Sequence, residues 1–188
     1  MPEHIGRPDY NAIRASLHYA SIHLKLVLGL RATFGFPATR PTVSYLEAFS
    51  WGHHVAEHDE LALTREEEEQ AFAVLGHCAT YVSVMQVHTA LESIYDDPFQ
   101  ILEADVASAF QISRLIRNAF AHNPFTPVWE VRDAWKNRRF VVPDVITLDT
   151  ANLDGKPLRR EHYGGPVAIL RLIEFADRVV QSRAEQAA

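Results

Sequence analysis

Apolar side chains recur along this chain at helical spacing in four stretches. Ile13, Leu17, Ala20, Leu24 and Val27 lie three or four residues apart and share one face of a helix that Asp9 can cap. Leu26, Leu28 and Leu30 widen that stripe until little of the helix is polar, which predicts a central helix or one that supplies a subunit interface. Gly35 should end it, with Pro37 and Pro41 in the linker beyond. Residues 42–63 are less regular: Val43, Leu46, Phe49 and Val55 suit a short helix, which Gly52 weakens.

Thr64-Arg65-Glu66-Glu67 is a capping box, and Glu66 to Glu69 put negative charge at the positive end of the helix that follows. Phe72, Leu75, Ala79, Val82, Met85 and Leu91 carry its apolar pattern to about Tyr95. Asp97 and Pro98 signal the next helix as N-cap and first residue. Leu102, Val106, Phe110, Ile116 and Phe120 form its expected buried face, widened by Ala109, Ile112, Leu115 and Ala119. Arg114, Asn118, Ala121 and His122 fall on the other side, with Ala107. Pro124 disfavours helical geometry at Asn123, so His122 belongs to the final turn.

Beyond Pro124 the pattern becomes extended. Phe140-Val141-Val142 and Val145-Ile146-Thr147-Leu148 flank Pro143-Asp144, and Asn152-Leu153-Asp154-Gly155 reads as a turn before a returning strand at Leu158-Arg159-Arg160. Residues 125–163 are therefore expected to form a small β-meander or hairpin. After Gly164-Gly165-Pro166, a last helix carries Val167, Leu170, Ile173, Ala176 and Val180 at core spacing. The fold class expected is mainly α: a helical bundle, one domain over 1–188, with a β-rich insert at about 125–163 before the last helix.

Composition narrows the setting. The single Cys78 excludes an internal disulfide, and Lys25 and Arg31 interrupt the best apolar stretch, so no membrane span is expected. Met1-Pro2-Glu3-His4 opens without a basic, then apolar, leader pattern, so a cytoplasmic location is expected. The formal charge is −6, but unevenly spread: residues 1–129 hold 8 Lys and Arg against 15 Asp and Glu, whereas 130–188 hold 10 against 9. A phosphate ligand would favour the C-terminal third. There Arg132, Lys136, Arg138 and Arg139 interleave with Trp129, Trp135 and Phe140, a pattern that can pair phosphates with cations and bases with rings. The competing reading places the rings on the bundle and the cations in water.

Histidine supplies two further patterns. His54-x-x-Glu57-His58 has the H-x-x-E-H spacing of some zinc hydrolases, but such a site needs a distant third ligand, and a polar turn is expected instead, with no metal. His77 and His88 lie eleven residues apart, about three helical turns, and read as hydrogen-bonded bundle histidines.

The stretch with most chemistry is Arg114 to Pro124. Arg117 offers a forked, permanently charged donor set suited to phosphate oxygens, and His122 exchanges a proton near neutral pH. Arg117-Asn118-x-x-x-His122 near the end of a bundle helix resembles the R-x4–6-H signature of the HEPN superfamily, including the polar residue that often follows its Arg. The resemblance implies an all-helical, usually homodimeric domain whose active members are metal-independent endoribonucleases, in toxin–antitoxin or phage-defence settings, with an antitoxin protein as a partner in the former. Members paired with nucleotidyltransferase antitoxins carry a Tyr two residues after the His; Pro124 occupies that position here.

The same resemblance assigns catalytic roles to Arg117, His122 and Asn118 and calls for no cofactor; Arg114 would extend the cation, and the basic, aromatic segment would guide RNA through Arg132, Lys136, Arg138, Arg139 and Trp129. Many HEPN-like domains bind RNA, nucleotides or proteins without cleaving, which is the alternative expectation. Five residues at about 100° each set Arg117 and His122 roughly 140° apart on a regular helix. Either the last turn distorts or two chains build the site.

Overall fold

The computed structural model describes residues 8–34 and 47–187. The expected helix end at Gly35, the linker prolines Pro37 and Pro41, and Val43 and Leu46 lie outside them. Helix α1 spans Tyr10–Phe34, and Asp9 caps it by accepting the Ala12 N–H at 3.1 Å. Strands β1 (Ala48–Trp51) and β2 (His54–Glu57) form an antiparallel hairpin, followed by the single-turn helix α2 (His58–Leu61). Then come α3 (Arg65–Ser93), α4 (Ala104–Ala121), the antiparallel pair β3 (Arg139–Val142) and β4 (Ile146–Asp149), and α5 (Gly165–Gln186). The architecture is mainly α, a helical bundle with a small β-hairpin inserted before the last helix. No helix among the described residues is long and apolar enough to cross a membrane.

Helix α3 is the hub, packing against α1, α4 and α5. Its start is the capping box read from the sequence: Thr64 Oγ1 accepts the Glu67 N–H at 3.3 Å, and Glu67 Oε2 accepts the Thr64 N–H at 2.7 Å. Thr64→Ala should cost about 1 kcal/mol of stability, read as a lower urea midpoint at unchanged slope. The buried face, however, runs through Ala79, Thr80, Ser83, Val84, Val87, His88 and Leu91, while Val82 is exposed. Three polar residues on that face hide it from a reading based on apolar spacing alone.

Helix α1 is peripheral rather than central. Leu17, Ala20, Leu24 and Val27 are buried as expected, yet Tyr19, Ile22 and Leu26 stand exposed on its outer side. Residues 47–57 correct the expectation of a short helix there. Gly52 takes φ +61° at the first position of a two-residue loop between β1 and β2, a turn that L side chains rarely adopt. His54 consequently lies on a strand and His58 opens α2, so the two imidazoles never share a helical face.

Asp97 caps only a 3-10 turn, Pro98–Gln100, by accepting the Phe99 N–H at 2.9 Å. Residues 101–103 leave helical geometry, α4 starts at Ala104, and Leu102 is exposed rather than core. From Val106 onward α4 buries ten residues on nearly every side, because α3 and β3 both pack on it. In the insert, β3 and β4 pair Phe140 with Leu148 and Val142 with Ile146, with Asp144 at φ +59° in the loop. The third strand expected at Leu158–Arg160 is reduced to one bridge, Val128 to Pro157, and then a 3-10 turn, Arg160–His162. In α5, Leu172, Ile173, Ala176 and Val180 are buried, whereas Val167 faces out.

Candidate functional site

The site lies where the end of α4 meets the insert. Helix α4 stays regular to Ala121, and its C-cap His122 keeps right-handed helical angles (φ −86°, ψ −37°). Asn123 Oδ1 then accepts the N–H groups of Phe125 and Thr126, at 3.0 and 3.2 Å, and turns the chain. Val128 donates its N–H to the Ala119 carbonyl at 3.1 Å, satisfying one of the carbonyls that a helix end leaves unpaired. That bond pins the start of the insert against α4 and brings Glu130 within reach of His122.

His122 Nε2 lies 2.9 Å from Glu130 Oε2, with both side chains well exposed. An exposed ion pair adds little stability, so the consequence is orientation. A neutral imidazole bonded to a carboxylate through Nε2–H keeps its lone pair on Nδ1, which becomes the base. Glu130 is a residue that sequence reasoning missed; eight positions of irregular chain separate it from His122, and no periodicity marks it.

Arg117 is half-buried, and its guanidinium bonds the neighbouring Asn118 Oδ1 at 3.3 Å; no carboxylate among the described residues pairs with it. Its charge bears on Arg114 and on His88 of α3. Arg117 bonds Asn118 and His122 bonds Glu130, and neither side chain contacts the other. Since the last turn of α4 is undistorted, the roughly 140° separation stands.

His88 is buried, stacked on Phe110 with centroids 4.8 Å apart, and its Nδ1 finds no hydrogen-bond partner. His77 Nδ1 is likewise unpartnered, its ring set edge-on to Phe120. His88 is a core histidine and His77 a half-buried one, both packed on rings rather than hydrogen-bonded. Burial, and then the charges of Arg117 and Arg114, push the His88 pKa down to about 4. An unfolded His88 takes up a proton near pH 6.5, whereas the folded one resists until about pH 4, so stability should fall as pH drops through that interval. Urea unfolding at pH 7 and 5 should show the fall, and His88→Phe should remove part of it.

Of the residues expected to hold RNA, three gather and three do not. The Arg114 guanidinium lies 5.3 Å from the Phe99 centroid and 4.8 Å from that of Trp135, and Arg138 approaches the same indole at 5.4 Å. Each such contact contributes roughly 0.5–2 kcal/mol. Arg132 is close enough for its charge, with that of Arg117, to add to burial in lowering the Arg114 pKa.

Lys136 is not available to a phosphate: its ammonium is held at 3.0 Å by both Asp133 and Asp154. Arg139 sits opposite Asp149 on the exposed face of β3, while Phe140, one residue on, turns inward towards Trp135. Trp129 is 1% exposed, and its indole N–H donates to His162 Nδ1 at 2.8 Å, so it cannot stack on a base.

Compared with protein-family models, with curated proteins and with solved structures, the chain matches none of them.

Proposed function

We propose that this protein is a metal-independent endoribonuclease of HEPN type, acting as a homodimer whose sites draw on both chains. The observation that carries the reading is a solvent-facing His122, oriented through Nε2 by Glu130, five residues from an Arg117 that no carboxylate among the described residues neutralises. In this reading His122 Nδ1 takes the proton of the ribose 2′-OH, or His122 protonates the leaving oxygen. Arg117 holds the phosphate and stabilises the charge that builds up in the transition state, and Asn118 orients Arg117. RNA is the substrate because the attack uses a 2′-OH.

The regular end of α4 supports a site built from two chains: Arg117 and His122 of one chain diverge, so the Arg of one and the His of the other would meet on one phosphate. The exposed Tyr19, Ile22 and Leu26 of α1 give a second copy an apolar face to cover. A toxin or phage-defence role, with an antitoxin partner, belongs to the same reading. The half-burial of Arg117 favours a second one, in which a HEPN-like module binds RNA or protein without cleaving and Arg117 steadies the helix end.

The test is cleavage of mixed RNA in EDTA by the purified protein beside His122→Ala. Cleavage by the parent alone, leaving 2′,3′-cyclic phosphate ends, is expected. No cleavage by either folded protein would sink the ribonuclease reading in favour of the binding module.

A further inference from the structure

Arg114 and Arg138 lie over the Trp135 ring, and Arg132 stands near enough for its charge to bear on Arg114, with no carboxylate among the described residues to neutralise the three. The acids of this part of the insert are engaged elsewhere: Glu130 with His122, Asp133 and Asp154 with Lys136. Arg114 is the best fixed of the three, lying against both Phe99 and Trp135, with its Nε buried and without an acceptor. Packing like charges together is unfavourable unless an anion answers them. In a chain of formal charge −6, so local a gathering marks a site that attracts anions. Beside it Phe99 is 60% exposed, an open aromatic ring next to the cations. Arg114 also precedes Arg117 by three positions on α4, so the two are neighbours on the helix surface.

We propose that Arg114 and Arg138, set around Trp135 and beside Phe99, together with the nearby Arg132, bind the phosphodiester backbone of an unpaired RNA strand and stack one of its bases on Phe99. The proposal rests on the ribonuclease reading for the direction it gives the strand, from this cradle to the phosphate held by Arg117. It adds that the substrate is single-stranded. A duplex keeps its base faces inside the stack and offers the cradle only phosphates, whereas an unpaired strand satisfies the cations and the ring together.

The experiment uses the full chain in EDTA and a short, labelled 2′-O-methyl RNA, which cannot be cleaved by 2′-OH attack, as a single strand and as a duplex. Fluorescence anisotropy over a range of salt reads the binding. The parent should bind the strand about tenfold or more tightly than the duplex. The double variant Arg132→Gln/Arg138→Gln, both exposed and outside the core, should lose about tenfold in affinity and lower the salt slope by roughly 1.4, at about 0.7 per phosphate contact. Phe99→Leu should weaken the strand and spare the duplex.

Equal affinity for strand and duplex, or undiminished binding by the double variant, would overturn the proposal. Cleavage of ordinary RNA by the same proteins is read separately. A parent that shows the expected binding but never cleaves keeps the cradle and loses the ribonuclease reading. A parent that cleaves, with binding unaltered in the double variant, loses the cradle alone.

Discussion

Replacing Trp129 by alanine will destabilise the fold by about 3–5 kcal/mol. The ring is fully buried, and the residue is tied into the insert by three hydrogen bonds. Its backbone N–H donates to the Lys156 carbonyl and its own carbonyl accepts the Gly155 N–H, both at 2.9 Å. Its indole N–H reaches His162 Nδ1, which also accepts the Arg159 N–H at 3.2 Å. Two donors on one nitrogen require the neutral ring, and burial, the largest influence on His162, lowers its pKa in agreement.

Removing the indole leaves a large void and takes one donor from His162. Trp129→Phe keeps most of the volume and should cost less, part of it the lost hydrogen bond at about 1 kcal/mol. Thermal or urea unfolding measures both. A Trp129→Ala protein of parental stability that failed only in RNA binding would reinstate the ring as a stacking platform.

Arg117→Ala should lower RNA cleavage by about 10²–10³-fold, the loss seen when one preorganised donor to a developing negative charge is removed. Arg117→Lys should recover little, because an ammonium lacks the planar fork that a phosphate engages at two oxygens. Mixing carries the sharper information. If Arg117 of one chain works with His122 of the other, a dimer of one Arg117→Ala chain and one His122→Ala chain retains one intact site, so the combined proteins recover activity that neither has alone. If both residues act within one chain, mixing restores nothing. Glu130→Gln should have a smaller effect, raising KM little and slowing the chemical step, since it orients His122 without touching substrate.

Much of the helical framework was legible because it depends on neighbours in sequence. The Thr64 capping box, the Asp9 cap and the buried stripe Leu17, Ala20, Leu24 and Val27 are local patterns with one low-energy solution. Where the pattern misled, a partner element overruled it. Val82 and Val167 sit at core spacing but face out, while Thr80, Ser83 and His88 face in, because helix contacts choose the buried side and amphipathicity on α3 is weak. Gly52 weakened a helix on paper, but its positive φ actually closes a hairpin.

The site divides along the same line. Arg117, Asn118 and His122 were readable from spacing on one helix, and so was their divergence, since 100° per residue fixes it until something distorts the turn. Nothing local foretold Glu130, which meets His122 only because the Val128 N–H caps the carbonyl of Ala119. Trp129 and Trp135 lie six positions apart in one basic, aromatic segment, and residue type alone treats them alike. Packing sent the first into the core and set the second among arginines. By itself the sequence determined the long helices, the Asp9 and Thr64 caps and the angular placing of the motif, because these are properties of a few consecutive residues. Which faces are buried, which cations are neutralised and which carboxylate orients the histidine were decided only in the tertiary structure, where burial and charge pairing depend on residues brought together from distant parts of the chain.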